Sequence, residues 1–146
     1  MESITTSTKE TQQVAADLVK RLGGYKHRGA LALGLQGELG SGKTTFIQGL
    51  GRALKLKDKI LSPTFVIQKR FTLKGQRWAN LYHIDAYRLS GAKDLKTLGW
   101  LEILKDKKNL VVVEWAERVK AALPKDTLWL KFDHLGEDKR KIKIKL

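Results

Sequence analysis

Cysteine is absent from the chain. Disulfide staples and cysteine metal sites are thereby excluded, and the composition fits a reducing cytoplasm. No apolar run approaches the roughly 20 residues that a membrane-spanning helix needs, so no membrane association is expected. The opening residues MESITTSTKE are polar and include Glu2, which does not suit a secretory signal. Internal repeats and low-complexity linkers are missing as well. Carboxylates are scarce: 15 Asp and Glu stand against 29 Lys and Arg, a net charge of +14. That balance favours a polyanionic partner, either a nucleic acid or an acidic protein face. A Lys-rich solvated surface explains it equally well.

What is present suits one domain over residues 1–146, since 42% hydrophobic content supports a real core. Thr8 to Leu22 reads as a helix, with Val14, Leu18 and Leu22 at helical spacing and Gly23-Gly24 to end it. ALALGL (Ala30–Leu35) reads as a buried strand and Thr45 to Leu54 as a helix. Ser62-Pro63 marks a loop. Phe65–Leu73 and Trp78–Asp85 form an expected antiparallel hairpin around Lys74-Gly75. Asp94 to Leu104 is expected to be one helix, LVVVEW (Leu110–Trp115) a buried strand, and Arg118–Leu123 a short helix or turn closed by Pro124. Thr127–Phe132 and Arg140–Leu146 complete the strands. In the tail, KRKIKIKL alternates cations with Ile142, Ile144 and Leu146, the pattern of an edge strand with one wet face, its lysines guarding the edge. The alternation of strands and helices implies an α/β fold with a mostly parallel sheet and an antiparallel hairpin portion.

Between the first strand and the second helix lies GELGSGKT, Gly37 to Thr44. It matches the phosphate-binding loop pattern G-x-x-x-x-G-K-T in full. Glycine lets the backbone curl until successive N–H groups point inward, and the following helix adds the partial positive charge of its N-terminus. The backbone from Glu38, Leu39, Gly40 and Ser41 through Gly42 to Thr45 is the expected cradle. Lys43 is placed to reach β- and γ-phosphates, and Thr44 to put its hydroxyl on Mg²⁺. Such sites need a carboxylate at the end of a neighbouring buried strand. LVVVEW supplies Glu114 there; a strand-end Glu facing solvent is the plainer alternative. In LYHIDAYRL, strand spacing puts His83 and Asp85 on one face and Tyr82 and Ile84 on the other. Asp85 then orients water or holds the metal's water shell, while His83 is either part of the cleft or a satisfied core histidine.

Other signals carry less. Ser62-Pro63-Thr64 falls where phosphate-sensing switches place a Thr or Ser, yet by itself it is only a turn. Arg88 fits an arginine finger or a surface ion pair. The asparagines, Asn80 and Asn109, start no Asn-Lys-x-Asp guanine motif, so ATP is the expected nucleotide. No arginine-rich lid for a small-molecule kinase stands out.

Taken in order, GELGSGKTTF, SPTF, the H-x-D-x-Y-R-L run from His83 to Leu89, and VVVEWAER resemble the bacterial TsaE (YjeE) family, over nearly the whole chain. The resemblance implies a P-loop α/β fold and a slow Mg²⁺-dependent ATPase. It implies work with two partner proteins, TsaB and TsaD, in threonylcarbamoylation of adenosine 37 in tRNAs that read ANN codons, without transfer of the carbamoyl group by the chain itself. It carries Lys43 and Thr44 over as phosphate and Mg²⁺ ligands, Glu114 as the Glu of an E-W pair, Asp85 as the essential Asp and Thr64 as part of a switch-like loop. It also sets Glu10-Thr11 near the adenine, although acidic and Thr residues are common in a helix's first turn. Ser41 stands where the family commonly has Ala and Glu38 where Asp is frequent. The tail is more basic than the family pattern, which leaves tRNA contact open.

The expected catalysis is positioning and charge stabilisation by Lys43, Asp85 and Glu114, slow in isolation because no residue is an obvious strong base. A small-molecule kinase and a nucleic-acid-binding module that uses ATP as a switch are the rival readings. Phosphate transfer against phosphate release separates the first, and a salt-titrated tRNA assay the second.

Overall fold

The computed structural model describes residues 1–57, 60 and 67–145. These form β1 (Glu2–Thr5), α1 (Thr8–Leu22), β2 (Leu31–Gln36), α2 (Lys43–Ala53), β3 (Gln68–Thr72), β4 (Asn80–Asp85), α3 (Lys93–Lys96) and α4 (Trp100–Lys105). β5 (Asn109–Glu114), a 3-10 helix (Ala116–Ala122), β6 (Leu128–Gly136) and β7 (Lys139–Ile144) follow. The strands make one mixed sheet in the order β1-β7-β6-β2-β5-β4-β3. Its centre, β6-β2-β5-β4, is parallel, and β3 and β7 run antiparallel to their neighbours.

β2 and β5, at the middle of the sheet, are largely apolar because helices cover both of their faces. Every residue of β5 is buried. Its alternation splits the core into two layers. Leu110 and Val112 join Leu33, Leu81, Leu18 and Leu50 beneath α1 and α2. Val111 and Val113 join Ile84, Trp100, Ile103 and Val119 beneath the short helices. Fully burying side chains of this size stabilises the fold by about 1.5–3 kcal/mol each before chain entropy is counted. α1 starts at Ser7, whose hydroxyl accepts the Glu10 N–H at 3.1 Å. The Glu10 carboxylate in turn accepts the N–H and hydroxyl of Thr6, at 3.0 and 2.6 Å.

Two expectations are corrected. Asp94–Leu104 is two helices, because Gly99 adopts a left-handed conformation (φ 72°) and turns the chain so that Trp100 and Ile103 enter the second core layer. The tail strand does bury Ile142 and Ile144, but it is not an edge. β1 pairs along it from Glu2↔Lys143 to Thr5↔Arg140, and Glu2 lies 3.4 Å from Lys141 and 3.9 Å from Lys143. β1 itself escaped the sequence reading because four residues, ESIT, carry no usable apolar period. The Ser62, Pro63, Thr64 and Phe65 expectations lie outside the described residues.

Candidate functional site

β2, β4 and β5 end level with one another. Leu35 pairs with Glu114, and Glu114 with Asp85, so the strand ends bring both carboxylates to the loop that leaves β2. That loop, residues 37–42, ends at Gly42, whose φ of 102° excludes a side chain without strain. α2 begins at once and has no side-chain cap. Residues 42–45, at the positive end of this eleven-residue helix, line a cavity.

A cavity of about 270 Å³ is lined by residues 39–45, Asp85, Tyr87, Glu114, Trp115 and Arg140. Lys43 is buried at 5% exposure. Its ammonium donates to the Gly37 carbonyl and lies 3.8 Å from the centroid of the Trp115 ring. Burial holds its pKa below the usual lysine range, against the pull of Glu114, Glu117, Asp85 and Glu38. Ser41 Oγ is buried with no hydrogen-bond partner. An incoming anion is what this corner suits: orphaned donors and a cation resting on weak acceptors.

Asp85 accepts the Tyr87 N–H at 3.0 Å. Burial pushes its pKa up, and neighbouring Glu114 adds to the shift; the Tyr87 amide, His83 and Lys43 oppose it. His83 is buried at 1% exposure, with Nε2 at 2.7 Å from Glu114 Oε2 and Nδ1 without a partner. A carboxylate can only accept, so the ring hydrogen belongs on Nε2. Among the described residues no group of three or more His, Cys, Asp or Glu is arranged to hold a metal. One hydroxyl and one or two carboxylates match instead the donor set that Mg²⁺ takes when phosphate oxygens and water complete its shell.

The structure thus brings Leu39, Gly40, Ser41, Gly42, Lys43, Thr44, Thr45, Asp85 and Glu114 together. Glu38 is exposed and does not line the cavity. Thr11 lines an adjoining recess with Ser7, Thr45 and Arg140, its hydroxyl 2.7 Å from that of Thr5. Glu10 caps α1 and lines neither. Three contributors were not assigned from sequence. Trp115 takes a left-handed backbone (φ 55°) that swings its indole under Lys43, and the Tyr87 ring packs 5.0 Å from it. Arg140 comes from the β6–β7 hairpin, and its stem lies beside Gly42. Position after a strand-end carboxylate is the one signal that pointed at Trp115; nothing local marks Arg140.

A family model described as threonylcarbamoyl adenosine biosynthesis protein TsaE matches residues 5–142. A Streptomyces coelicolor protein named tRNA threonylcarbamoyladenosine biosynthesis protein TsaE is 41% identical over 84% of this chain and 80% of its own length. An Aquifex aeolicus protein of the same name is 34% identical over 98% of this chain and 94% of its own. The crystal structure of Bacillus subtilis YdiB superposes with a TM-score of 0.73 at 28% identity, over 99% of this chain and 83% of that one.

Proposed function

The chain belongs to the TsaE family, whose name places it in tRNA threonylcarbamoyladenosine biosynthesis, and from that premise we propose that it is a P-loop ATPase serving that pathway. It binds ATP with Mg²⁺, turns it over slowly alone, and works in the cytoplasm with TsaB and TsaD to sustain modification of adenosine 37. The observation that carries this reading is the convergence of Lys43 and Thr44 from the start of α2 with Asp85 and Glu114 from the ends of β4 and β5 around one cavity.

The amides at the start of α2 and the Lys43 ammonium take the β- and γ-phosphate oxygens, Lys43 exchanging the Gly37 carbonyl for a charged acceptor. Thr44 and Glu114 would hold the metal, with Asp85 beside them. Magnesium, when bound, draws charge from the phosphate oxygens. His83 keeps the Glu114 carboxylate in one orientation through the 2.7 Å hydrogen bond. Asp85 is placed to orient the attacking water. No residue in the cavity is a strong base at neutral pH, so catalysis rests on fixed charges and stays slow until a partner completes the site.

Calorimetric titration with ATP and Mg²⁺, alongside a phosphate-release assay, tests this. Binding that Lys43→Ala abolishes, with slow release of phosphate, is the expected result. No ATP binding by the wild-type chain would end the proposal, and transfer of phosphate to a small-molecule acceptor would replace it with a kinase.

A further inference from the structure

The excess positive charge lies at the end of the sheet away from the candidate site. β2, β4, β5 and β6 all direct their carboxyl ends toward that site, so the segments entering them gather at the opposite pole. Contacts tie these segments together. Arg77 donates to the Leu22 carbonyl, Gln76 to that of Leu54, and the Ala79 N–H to that of Lys108. Residues 20–30, 54–57, 73–79, 105–108 and 123–127 hold 12 of the 29 Lys and Arg but 2 of the 15 Asp and Glu, namely Asp106 and Asp126. All 12 cationic residues are exposed. The segments around the candidate site, 5–11, 36–45, 85–94, 114–118 and 134–140, hold 7 cations and 8 carboxylates. The field that the composition implies therefore belongs to the far pole.

A groove of about 870 Å³ opens there. Ala30, Leu104, Leu123 and Pro124 give it apolar walls, and Lys26, Arg28 and Lys125 flank it. Asp126 also lines it, 3.4 Å from the Arg28 backbone N–H. We infer that this pole binds RNA, its cations holding backbone phosphates while the groove accepts an unstacked base or ribose. Cations on separate loops suit a polyanion, because each flexible stem meets its own phosphate and releases a counterion. Single-stranded segments place bases on such apolar walls. A protein partner fits less well. Protein interfaces are enriched in large apolar residues and depleted in Lys. Among the described residues, the exposed large hydrophobics (Met1, Ile4, Leu39, Tyr87, Leu101 and Leu135) all lie outside these segments. The choice of RNA over DNA rests on the proposed tRNA pathway; the position of the surface does not.

Anisotropy of a labelled, unmodified tRNA titrated with the full chain at several salt concentrations tests this. For wild type a log–log salt slope of about −3 to −5 is expected. The triple variant Lys26→Glu, Arg28→Glu, Lys125→Glu is expected to bind at least ~10-fold more weakly at 0.1 M salt, with a slope shallower by about 2–3. A neutralising variant, Lys105→Gln, Lys107→Gln, Lys108→Gln, should also flatten the slope, by about 2. A control with the same charge change elsewhere, Lys69→Glu, Lys96→Glu, Lys131→Glu, should stay within about 3-fold of wild type. ATP affinity, measured on each variant, should match wild type and so report an intact fold. Equal losses in the pole and control triples overturn the inference, as does wild-type protein without salt-dependent tRNA binding. Unchanged tRNA binding by the pole triple, with loss of an acidic protein partner instead, overturns it too. Absence of ATP binding in wild type would sink the proposed ATPase while leaving the tRNA result to stand or fall alone.

Discussion

His83 Nε2 lies 2.7 Å from Glu114 Oε2, and both side chains are buried. The two residues are 31 apart in sequence and sit on adjacent parallel strands. Loss of His83 strands a buried carboxylate. His83→Ala is therefore expected to destabilise the chain by about 1–3 kcal/mol in urea denaturation. It should also lower turnover roughly 10–100-fold, as loss of a ligand's orienting partner does. Glu114→Gln retains an acceptor for His83, so its stability should stay within about 1 kcal/mol of wild type while turnover falls. Equal stability of H83A and wild type would show that the hydrogen bond orients nothing.

Burial of Lys43 costs the fold stability. Its pKa is held down by burial, so at neutral pH the folded chain carries an ammonium that is better hydrated when unfolded. That penalty eases as pH rises through the folded pKa. Lys43→Met keeps the buried stem and removes the charge. It should raise stability by about 1 kcal/mol near neutral pH, with the gain shrinking at alkaline pH, and abolish ATP binding. Thermal unfolding against pH, paired with calorimetry, checks both halves.

Asp85 has a raised pKa, chiefly from burial, so its carboxylate picks up a proton at a higher pH than an ordinary Asp does. Turnover should lose activity on the acid side above the usual range near 4, and Asp85→Asn should flatten that limb along with lowering the rate. The proton is bound more tightly in the folded state. Stability from this group is thus present below the unfolded pKa and lost as pH rises through the folded one. D85N should accordingly stabilise the chain at pH 7 more than at pH 4.

Gly42 sits at φ 102°, with the Arg140 stem 3.5 Å from where a Cβ would lie. That distance is ordinary contact, so backbone strain dominates. Gly42→Ala should cost about 1–2 kcal/mol in stability and weaken ATP binding by distorting the first amides of α2. An unaltered melting curve with weakened binding would mean that the loop relaxes and only the cradle suffers.

The glycine loop between β2 and α2 was legible because its pattern is local: an apolar strand run, glycines that permit positive φ, and an apolar helical period follow one another along the chain. Glu114 and Asp85 were legible for a related reason, since each ends a run with strand periodicity. Trp115 and Arg140 were not. One reaches Lys43 through a left-handed backbone, and the other arrives from a hairpin about 100 residues away along the chain. β1 was missed, and with it the true sheet edge, because a four-residue strand is specified by its partner rather than by its own pattern.

By itself the sequence determined most of the helices and strands, the glycine-rich loop between a strand and a helix, and the number of charges, all consequences of neighbours along the chain. Only the tertiary structure decided where those charges lie. Parallel strands send every carboxyl end one way, so the loops entering them must collect at the other pole, and a net charge with no address in the sequence becomes a surface separated from the candidate site by the length of the sheet.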